Sequence, residues 1–285
     1  MEAVVAGVVA DLAPGLRRLT APNPGMMTGP GTNSYILGER ELIAVDPGPD
    51  IAEHVAALAE LAGSRLAWIL CTHTHRDHSP AAAELARRTG ARIAGRPAPD
   101  DERHDDTFAP DRVLQDGEVI AVDGISLRAV HTPGHASNHL CFLWEERRLL
   151  FTGDHIMQGS TVVISPPDGD MAVYLASLER LLHLDIARLA PGHGRLIDAP
   201  YDEVRRLVAH RLKREAKVLE AVSAAGGTLA ELVARAYDDA PVKLHAVAQR
   251  SLHAHLIKLR DEGRVAEEGG RWRIAGEAGG GRREA

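Results

Sequence analysis

The segment Cys71-Thr72-His73-Thr74-His75-Arg76-Asp77-His78 places three histidines and one aspartate within its last six residues. It follows the apolar run Leu66–Leu70 and precedes a helical pattern, Ser79–Thr89. Its polar side chains are therefore predicted to lie where a buried strand ends and the chain turns into a helix. Chance rarely collects four ligand-type side chains in so short a stretch, and we interpret the segment as a metal-binding loop.

The spacing within this loop predicts two metal ions rather than one. Residues two apart in an extended chain share a side, so His73 and His75 can reach one ion together. Asp77 and His78 come at the turn into the helix and point elsewhere. Four ligands within six residues are too crowded for a single tetrahedral ion, whereas two ions can share so short a loop.

Three more ligand-type residues follow predicted strands, each directly after a glycine. They are His135 in Thr132-Pro133-Gly134-His135, Asp154 in Phe151-Thr152-Gly153-Asp154 and His193 in Ala190-Pro191-Gly192-His193. Glycine lets the backbone come close to a site, because it has no side chain. Each residue alone is typical of an ordinary turn, but the repeated context predicts that all three join the loop at residues 73–78.

Length and composition limit the class of protein. A chain of 285 residues with 45% hydrophobic and 26% charged residues is typical of a soluble globular protein, with one large domain or a large and a small one. No segment approaches the ~20 apolar residues of a membrane helix, and Ala3–Ala10 is a poor signal peptide. Only two cysteines, Cys71 and Cys141, are present. We therefore expect a cytoplasmic protein that does not bind a membrane.

Histidine usage and charge narrow the function. Fifteen histidines against three Phe, four Tyr and three Trp favour metal binding. The net charge of −7 argues against nucleic acid as the main partner. The charge is uneven, because residues 200–285 hold 16 basic and 13 acidic side chains, and residues 1–199 hold 17 and 27. Two regions with different electrostatics are predicted.

Residues 16–194 alternate short strand patterns with helical ones. Three helices are predicted, at Asp50–Ala62, Ser79–Thr89 and Met171–Leu184. The predicted strands are Thr32–Leu37, Glu41–Asp46, Leu66–Thr72, Val119–Val122, Ser126–His131, His139–Trp144, Arg148–Thr152 and Arg188–Ala190. This order suggests two antiparallel-rich sheets packed together with helices outside.

After Pro200 the pattern becomes helical. A helix at Tyr201–Ala225 is predicted to end at Gly226-Gly227, and Thr228 with Glu231 forms a capping signal for a second helix. A third helix, Val242–Glu262, precedes a hairpin at 264–274 that turns at Gly269-Gly270. Three helices and a two-stranded hairpin outline a winged helix.

In chain order, five motifs match those of one family. They are Asp46 in Asp46-Pro47-Gly48, the His-x-His-x-Asp-His block at 73–78, His135, Asp154 and His193. On these residues the chain resembles the metallo-β-lactamase superfamily over residues 16–200. The resemblance implies an α+β fold, an αββα four-layer metallo-β-lactamase sandwich with a small C-terminal winged-helix-like domain. The catalytic domain is expected at residues 1–200, the winged-helix-like domain at 201–275, and a disordered tail at 276–285.

Further segments are similar to one β-lactamase-like subgroup with a C-terminal winged helix. That subgroup includes a mitochondrial endoribonuclease and polyketide thioesterases. The similar segments are Pro22-Asn23-Pro24-Gly25, Gly31-Thr32-Asn33-Ser34-Tyr35, His210-Arg211, 228–237, Leu244-His245 and 252–263. In such a protein the C-terminal domain is expected to cover the active-site cleft or to mediate assembly into a homo-oligomer.

The resemblance also implies the roles of the motif residues. One zinc ion is implied at His73, His75 and His135, and a second at Asp77, His78 and His193, with Asp154 bridging them. Asp46 is implied to orient a ligand. The iron-redox branch of the fold typically has glutamate at the position of His75, so this residue favours zinc, with manganese and iron as alternatives. His155 departs from the small or cysteine residue of some relatives and is expected at the rim of the pocket.

The implied reaction is hydrolysis by a hydroxide held between two zinc ions. Asp77 is the catalytic candidate, since one carboxylate can orient the nucleophile and carry its proton. The substrate-binding candidates are Met26 and Met27, in a loop rich in glycine and proline, and Asn33, which is expected to contact either the motif loop or the substrate.

Three functions stay open at this point. The acidic catalytic region favours a small-molecule thioester or ester. The subgroup resemblance also allows single-strand-specific endoribonuclease activity, and the winged helix allows a DNA-binding regulator with a metal-sensing domain. Six basic residues cluster on one predicted helix, where acidic residues such as Glu203 and Glu215 interleave, so we expect an ion-paired, solvated face. The six are Arg205, Arg206, Arg211, Lys213, Arg214 and Lys217.

Overall fold

The computed structural model describes residues 4–276, and its first layer is a sheet of seven strands. The strands lie in chain order across the sheet, antiparallel from β1 to β4 and parallel from β4 to β7. They are β1 (Val9–Ala13), β2 (Leu16–Thr20), β3 (Asn33–Gly38), β4 (Leu42–Val45), β5 (Leu66–Leu70), β6 (Arg92–Gly95) and β7 (Arg112–Val113).

A second sheet of five strands packs against the first. Its order is β12-β11-β10-β9-β8, and all neighbours are antiparallel except β11 and β12. The strands are β8 (Val119–Val122), β9 (Ile125–His131), β10 (Leu140–Trp144), β11 (Leu149–Gly153) and β12 (Arg188–Pro191). Tyr35, Phe142 and Phe151 belong to the apolar core between the two sheets.

Helices cover the outer face of each sheet and complete four layers. On the first sheet lie α1 (Ala52–Ala62) and α2 (Ala82–Thr89), which share an apolar cluster with the sheet. On the second lie α3 (Met171–Leu181) and the first half of α4 (Pro200–Ala225). The α+β fold class with αββα layering is thereby confirmed.

The C-terminal part forms a small unit with its own core. It contains α5 (Leu229–Ala236), α6 (His245–Asp261) and the hairpin of β13 (Val265–Glu268) and β14 (Arg271–Ile274). The predicted capping box of Thr228 and Glu231 is confirmed at the start of α5. Helix α4 joins both units, because its first half packs on the second sheet and its second half packs in the C-terminal core.

Four strands were not predicted, namely β1, β2, β6 and β7. Strand β2 carries Arg17 and Arg18 side by side, and Arg18 is buried, so its polarity pattern does not show which face is inside. Strand β7 has only two residues, too few for any alternation. Helix ends also differ, since α3 ends at Leu181 rather than Leu184.

The C-terminal tail and membrane-spanning helices were also considered in the sequence-based predictions. The predicted tail lies outside the described residues apart from Gly276. Among residues 4–276, the helices are too short or too polar to cross a membrane.

Candidate metal centre

The first histidine cluster joins the loop after β5 to the loop after β9. Nδ1 of His75 lies 2.9 Å from Nε2 of His73 and 3.0 Å from Nε2 of His135. All three imidazoles are T-shaped to one another, and their ring centroids lie 4.6–5.2 Å apart. Three ring nitrogens therefore converge on one point, which is the arrangement of three histidine ligands around a metal ion.

The second cluster joins the same loop to the loop after β12. Nε2 of His193 lies 3.2 Å from Oδ2 of Asp77, and Nε2 of His78 lies 3.4 Å from that oxygen. One ligand atom from each of these three residues falls within 4.8 Å of the others. The structure thus groups these side chains as the family resemblance implies.

Asp154 lies between the two clusters. Its Oδ1 is 3.2 Å from Nε2 of His193 and 3.4 Å from Nε2 of His78. Its Oδ2 faces the other way, 3.8 Å from Nε2 of His135. One carboxylate therefore offers an oxygen to each cluster, which is the geometry of a bridging ligand.

Two of the glycines before the ligands are required by close packing. A Cβ atom at Gly134 would lie 2.3 Å from Cα of Tyr174, and the φ of this glycine is 130°. A Cβ atom at Gly192 would lie 2.8 Å from Cε1 of His78 and 3.0 Å from Oδ1 of Asp154. A side chain at Gly192 would displace two ligand-type residues, and one at Gly134 would push the loop of His135 away from α3, so both glycines allow close packing at the site.

The far nitrogens of the imidazoles are held by hydrogen-bond partners. Nδ1 of His135 lies 2.9 Å from the carbonyl of Val163, and Nδ1 of His193 lies 3.1 Å from the carbonyl of Gly31. A carbonyl accepts the Nδ1–H of each ring, so in both rings Nε2 is the atom that faces the cluster. His75 differs, since its Nε2 has no partner within residues 4–276.

Asp46 holds His78 in the same way. Its Oδ2 lies 2.9 Å from Nδ1 of His78 and accepts the hydroxyl of Thr72 at 2.8 Å. Its Oδ1 accepts the backbone N–H of Thr72 at 2.7 Å. Asp46 is nearly fully buried and its φ is 51°, a left-handed conformation that these hydrogen bonds stabilise. It therefore orients a ligand-type side chain without joining either cluster.

Burial keeps the first cluster neutral. Burial, followed by the charges of His78 and His75, holds the pKa of His73 well below its usual value. Burial, followed by the charge of His135, does the same to the pKa of His75. Neutral imidazoles keep a free lone pair near pH 7, which is the form that binds a metal.

The second cluster has the opposite balance. Burial alone would raise the pKa of Asp77, but His78 and His193 outweigh it and hold this pKa far below its usual range. Burial alone would lower the pKa of His193, but the charge of Asp154 outweighs it and raises this pKa to about 10. The carboxylates of Asp77 and Asp154 are therefore stabilised by nearby positive charge. Either protonated imidazoles or divalent cations can supply that charge.

The residues fit a pair of divalent cations. Nε2 of His78 and Oδ1 of Asp154 are buried and have no hydrogen-bond partner among residues 4–276, although only 3.4 Å separates them. Imidazole nitrogens and carboxylate oxygens are ligands that zinc, manganese and iron accept. Metal-ligand bonds would satisfy both atoms, and a cation would balance the buried carboxylates.

An apolar cleft opens onto Asp154 and His135. Its volume is about 310 Å³. One wall comes from the catalytic sheets and their loops, and the other comes from α4, the end of α5 and α6. The lining residues that are apolar are Met26, Met27, Met157, Val162, Val163, Tyr237, Ala240, Leu244, Val247 and Ala248. The C-terminal unit thus forms one wall of the cleft, which agrees with the first of the two roles that the resemblance implies for it.

The three substrate-binding candidates, Met26, Met27 and Asn33, differ in their exposure to the cleft. Met26 and Met27 are 67% and 45% exposed and line the cleft, where a substrate can reach them. Asn33 is fully buried, and its Nδ2 donates to the carbonyls of Pro191 and Gly194 at 3.0 and 2.9 Å. Of the two contacts expected for Asn33, these hydrogen bonds are the one to a motif loop. Asn33 thereby holds the loop that carries His193.

Two further histidines, His155 and His104, are buried close to the two ligand clusters. His155 is fully buried rather than at the rim, and its ring packs edge-on against Tyr174 at a centroid distance of 5.1 Å. His104 is buried, and its ring lies 4.5 Å from that of His75. It lies in the loop between β6 and β7, where its Nδ1 is 2.7 Å from the hydroxyl of Thr74.

Thr32 is a neighbour of the site that the sequence analysis missed. Its hydroxyl donates to Oδ2 of Asp77 at 3.3 Å, and its backbone forms an isolated bridge with His193. It precedes β3 in a motif that the resemblance had already picked out, but only the tertiary structure brings it to the carboxylate.

Two family models match the chain. The model of the metallo-beta-lactamase superfamily matches residues 27–193, and that of the beta-lactamase associated winged helix domain matches residues 228–272. A metallo-beta-lactamase family protein from Thermus thermophilus superimposes with a TM-score of 0.78 and 26% identity, covering 93% of this chain and 100% of its own.

Curated relatives agree with this match. The beta-lactamase-like protein 2 homolog of Caenorhabditis elegans is 30% identical over 269 residues, which are 90% of this chain and 88% of the relative. The atrochrysone carboxyl ACP thioesterase of Aspergillus fumigatus is 33% identical over 219 residues, which are 74% of this chain and 66% of the relative. By sequence and by fold, this chain belongs to the metallo-beta-lactamase superfamily, whose members are generally hydrolases, and carries the associated winged helix domain.

Proposed function

We propose that this chain hydrolyses a small-molecule thioester or ester with the help of two bound zinc ions. His73, His75 and His135 would hold one ion, Asp77, His78 and His193 would hold the other, and Asp154 would contact both. Such a pair, when bound, supplies Lewis acidity and a hydroxide at neutral pH. Manganese and iron are the alternative metals, because they accept the same nitrogen and oxygen donors.

Asp77 is the residue of this chain that we assign to proton transfer. Its side chain is 26% exposed, whereas those of Asp154 and Asp46 are 12% and 3% exposed. Of the three carboxylates, that of Asp77 is therefore the most accessible to a water molecule. Thr32 and His193 restrain Oδ2, which keeps the carboxylate in place while it holds the proton of an attacking water.

The apolar cleft is the observation that supports a small-molecule acyl substrate. A cavity of about 310 Å³ with mostly aliphatic walls suits the acyl part of a small molecule, and it opens directly onto the metal centre. Three basic side chains on α4, those of His210, Arg211 and Arg214, lie along one wall. The thioesterase name of the Aspergillus fumigatus relative supports the same bond type.

Nucleic acid is a less suitable substrate or partner than a small molecule, because most basic side chains on α4 are already paired. On α4, Arg206 pairs with Glu203, Arg214 with Asp239, and Lys217 with Asp238 and Asp239. The predicted ion-paired face is thereby confirmed for most of the cluster, and Arg211 is buried instead. The stripe of Leu252, Leu256 and Leu259 on α6 is buried in the C-terminal core, so this helix offers little surface for reading DNA.

A substrate panel tests the proposal. Metal-loaded protein is assayed against acyl-coenzyme A thioesters, lactones, a chromogenic β-lactam and single-stranded RNA, with chelator-treated protein as the control. We expect metal-dependent turnover of thioesters or esters. Cleavage of RNA alone would replace the substrate class, and no turnover of any compound by fully loaded protein would contradict the hydrolytic function.

A further inference from the structure

Arg18 is a buried cation without a partner in the described part of the protein. It is only 3% exposed. It lies opposite Tyr35 in the antiparallel pairing of β2 and β3, so the two side chains project from the same face of the sheet. That face looks into the layer between the two sheets, because Tyr35 belongs to the core there. The guanidinium of Arg18 forms no hydrogen bond, ion pair or cation–π contact within residues 4–276.

An arginine in this setting is stabilised by an anion or by water in an adjoining cavity. Removing a charged group from water is unfavourable unless a counter-charge or strong hydrogen bonds replace the water. Leu12 and Leu196, which pack against the core beside Arg18, offer neither. Asp198 is committed to Arg188, whose Nε lies 2.7 Å from Oδ1 of the aspartate.

A cavity of about 220 Å³ adjoins this guanidinium. Arg195 and Arg188 line it together with Arg18. Arg195 has no ion-pair partner within residues 4–276, and the acidic residues of the lining are Asp198, paired as above, and Asp11, which forms no ion pair with Arg18. Guanidinium groups present fixed pairs of donors that match the oxygens of a phosphate.

This cavity lies next to a second cavity that reaches the candidate metal centre. Arg195 also lines a neighbouring cavity that contains His193, Met26 and Met27. Arg195 therefore lines both cavities, and residues of the loop from His193 to Asp198 contribute to each. A ligand that spans both cavities would place an anionic group beside Arg18 and another part near the centre.

We propose that Arg18 and Arg195 form an anion subsite that binds a phosphate group beside the ion pair of Arg188 and Asp198. Two guanidinium groups beside one cavity favour a tetrahedral oxyanion, which offers oxygens in several directions, over a planar carboxylate. The site does not rest on the proposed thioesterase activity, because its residues are separate from the metal ligands.

Phosphate binding to the metal-loaded protein tests the subsite. Calorimetry and thermal unfolding are measured with inorganic phosphate at constant ionic strength for the wild type, Arg18→Met, Arg195→Gln and the control Arg17→Gln. Arg17 is the chain neighbour of Arg18 and lines a different surface. Any phosphate that binds the metal ions does so in all four proteins, so differences between them report on the arginine cluster.

We expect phosphate to raise the melting temperature of the wild type and Arg17→Gln in a concentration-dependent way. Affinity should fall at least tenfold in Arg18→Met and several-fold in Arg195→Gln. In chloride buffer, Arg18→Met should be at least as stable as the wild type, since an unpaired buried charge is removed. A stronger response to glycerol 3-phosphate than to inorganic phosphate would identify the ligand as a phosphate ester, and the reverse would identify the free ion.

Wild-type phosphate affinity in Arg18→Met would overturn the proposal. If that variant does not fold, Arg195→Gln decides the matter, because unchanged affinity there would exclude a role for the cluster. A loss of stability in folded Arg18→Met without phosphate would also count against it, since it would show that Arg18 stabilises the fold without an anion.

Discussion

Oδ2 of Asp46 lies 2.9 Å from Nδ1 of His78, while Oδ1 accepts the backbone N–H of Thr72 at 2.7 Å. One buried carboxylate thus links the end of β4 to the loop after β5. It also sets the orientation of His78, because the ring nitrogen that it contacts cannot then face the metal centre.

We expect Asp46→Asn to weaken metal binding by about 10- to 100-fold, the usual effect of losing a partner that orients a ligand. Chelator competition measures this affinity. Asp50→Asn, an exposed neighbour, is the matched control. Equal affinity in both variants would show that His78 keeps its orientation without the Asp46 carboxylate.

Asp77→Asn should lower kcat by roughly 10² to 10⁴, the range expected when a general acid–base group is lost. The amide keeps the shape of the side chain but cannot accept the proton. Because Asp77 is also assigned as a ligand, rates are compared at equal metal content, determined by elemental analysis. Full activity in a fully loaded variant would exclude the proton-transfer role.

Metal binding should release protons and should strengthen as the pH rises. The pKa of His193 is raised to about 10, so this ring is protonated near pH 7 before a metal binds, and, against burial, the charges of Asp77 and Asp154 raise the pKa of His78 as well. Lower pH strengthens this competition, and higher pH removes it. Calorimetry in two buffers of different ionisation enthalpy should show net proton release at pH 7 when the metal binds. No release would contradict the assignment of these rings as ligands.

Narrowing the cleft should change substrate preference. Val247→Trp places a large ring in the cleft wall, and we expect kcat/KM to fall about tenfold or more, near 1.4 kcal/mol, for long or aromatic acyl groups. Acetyl substrates should be affected less. Val242→Trp, at a position that is 79% exposed, is the control. A uniform loss for all acyl groups would argue against the cleft as the acyl site.

The C-terminal unit should depend on its helix cap. Thr228→Ala removes the side-chain acceptor of the capping box at α5, which typically lowers the free energy of unfolding by about 1 kcal/mol. Urea unfolding followed by circular dichroism measures the change. Ser223→Ala, near the exposed end of α4, is the control. An equal loss of stability in that variant would show that the capping box does not specifically stabilise the C-terminal unit.

The ligand-type residues were predictable from the sequence because chemistry concentrates them. Four of them lie within six residues after one strand, and Asp154 and His193 each follow a glycine at the end of another. Local spacing of this kind needs no knowledge of distant contacts. The winged helix was equally readable, since the cap at Thr228 and the turn at Gly269-Gly270 are local signals.

Long-range contacts explain what the sequence did not reveal. Asn33 binds the loop of His193 through Gly194, which is 161 residues away in the chain, and α6 supplies one wall of a cleft whose other wall belongs to the catalytic domain. Arg18 reads as a surface residue until the second sheet covers it. Local patterns record which side chains can bind a metal or end a helix, whereas burial and cavity shape arise only when distant segments pack, so no short stretch of sequence contains them.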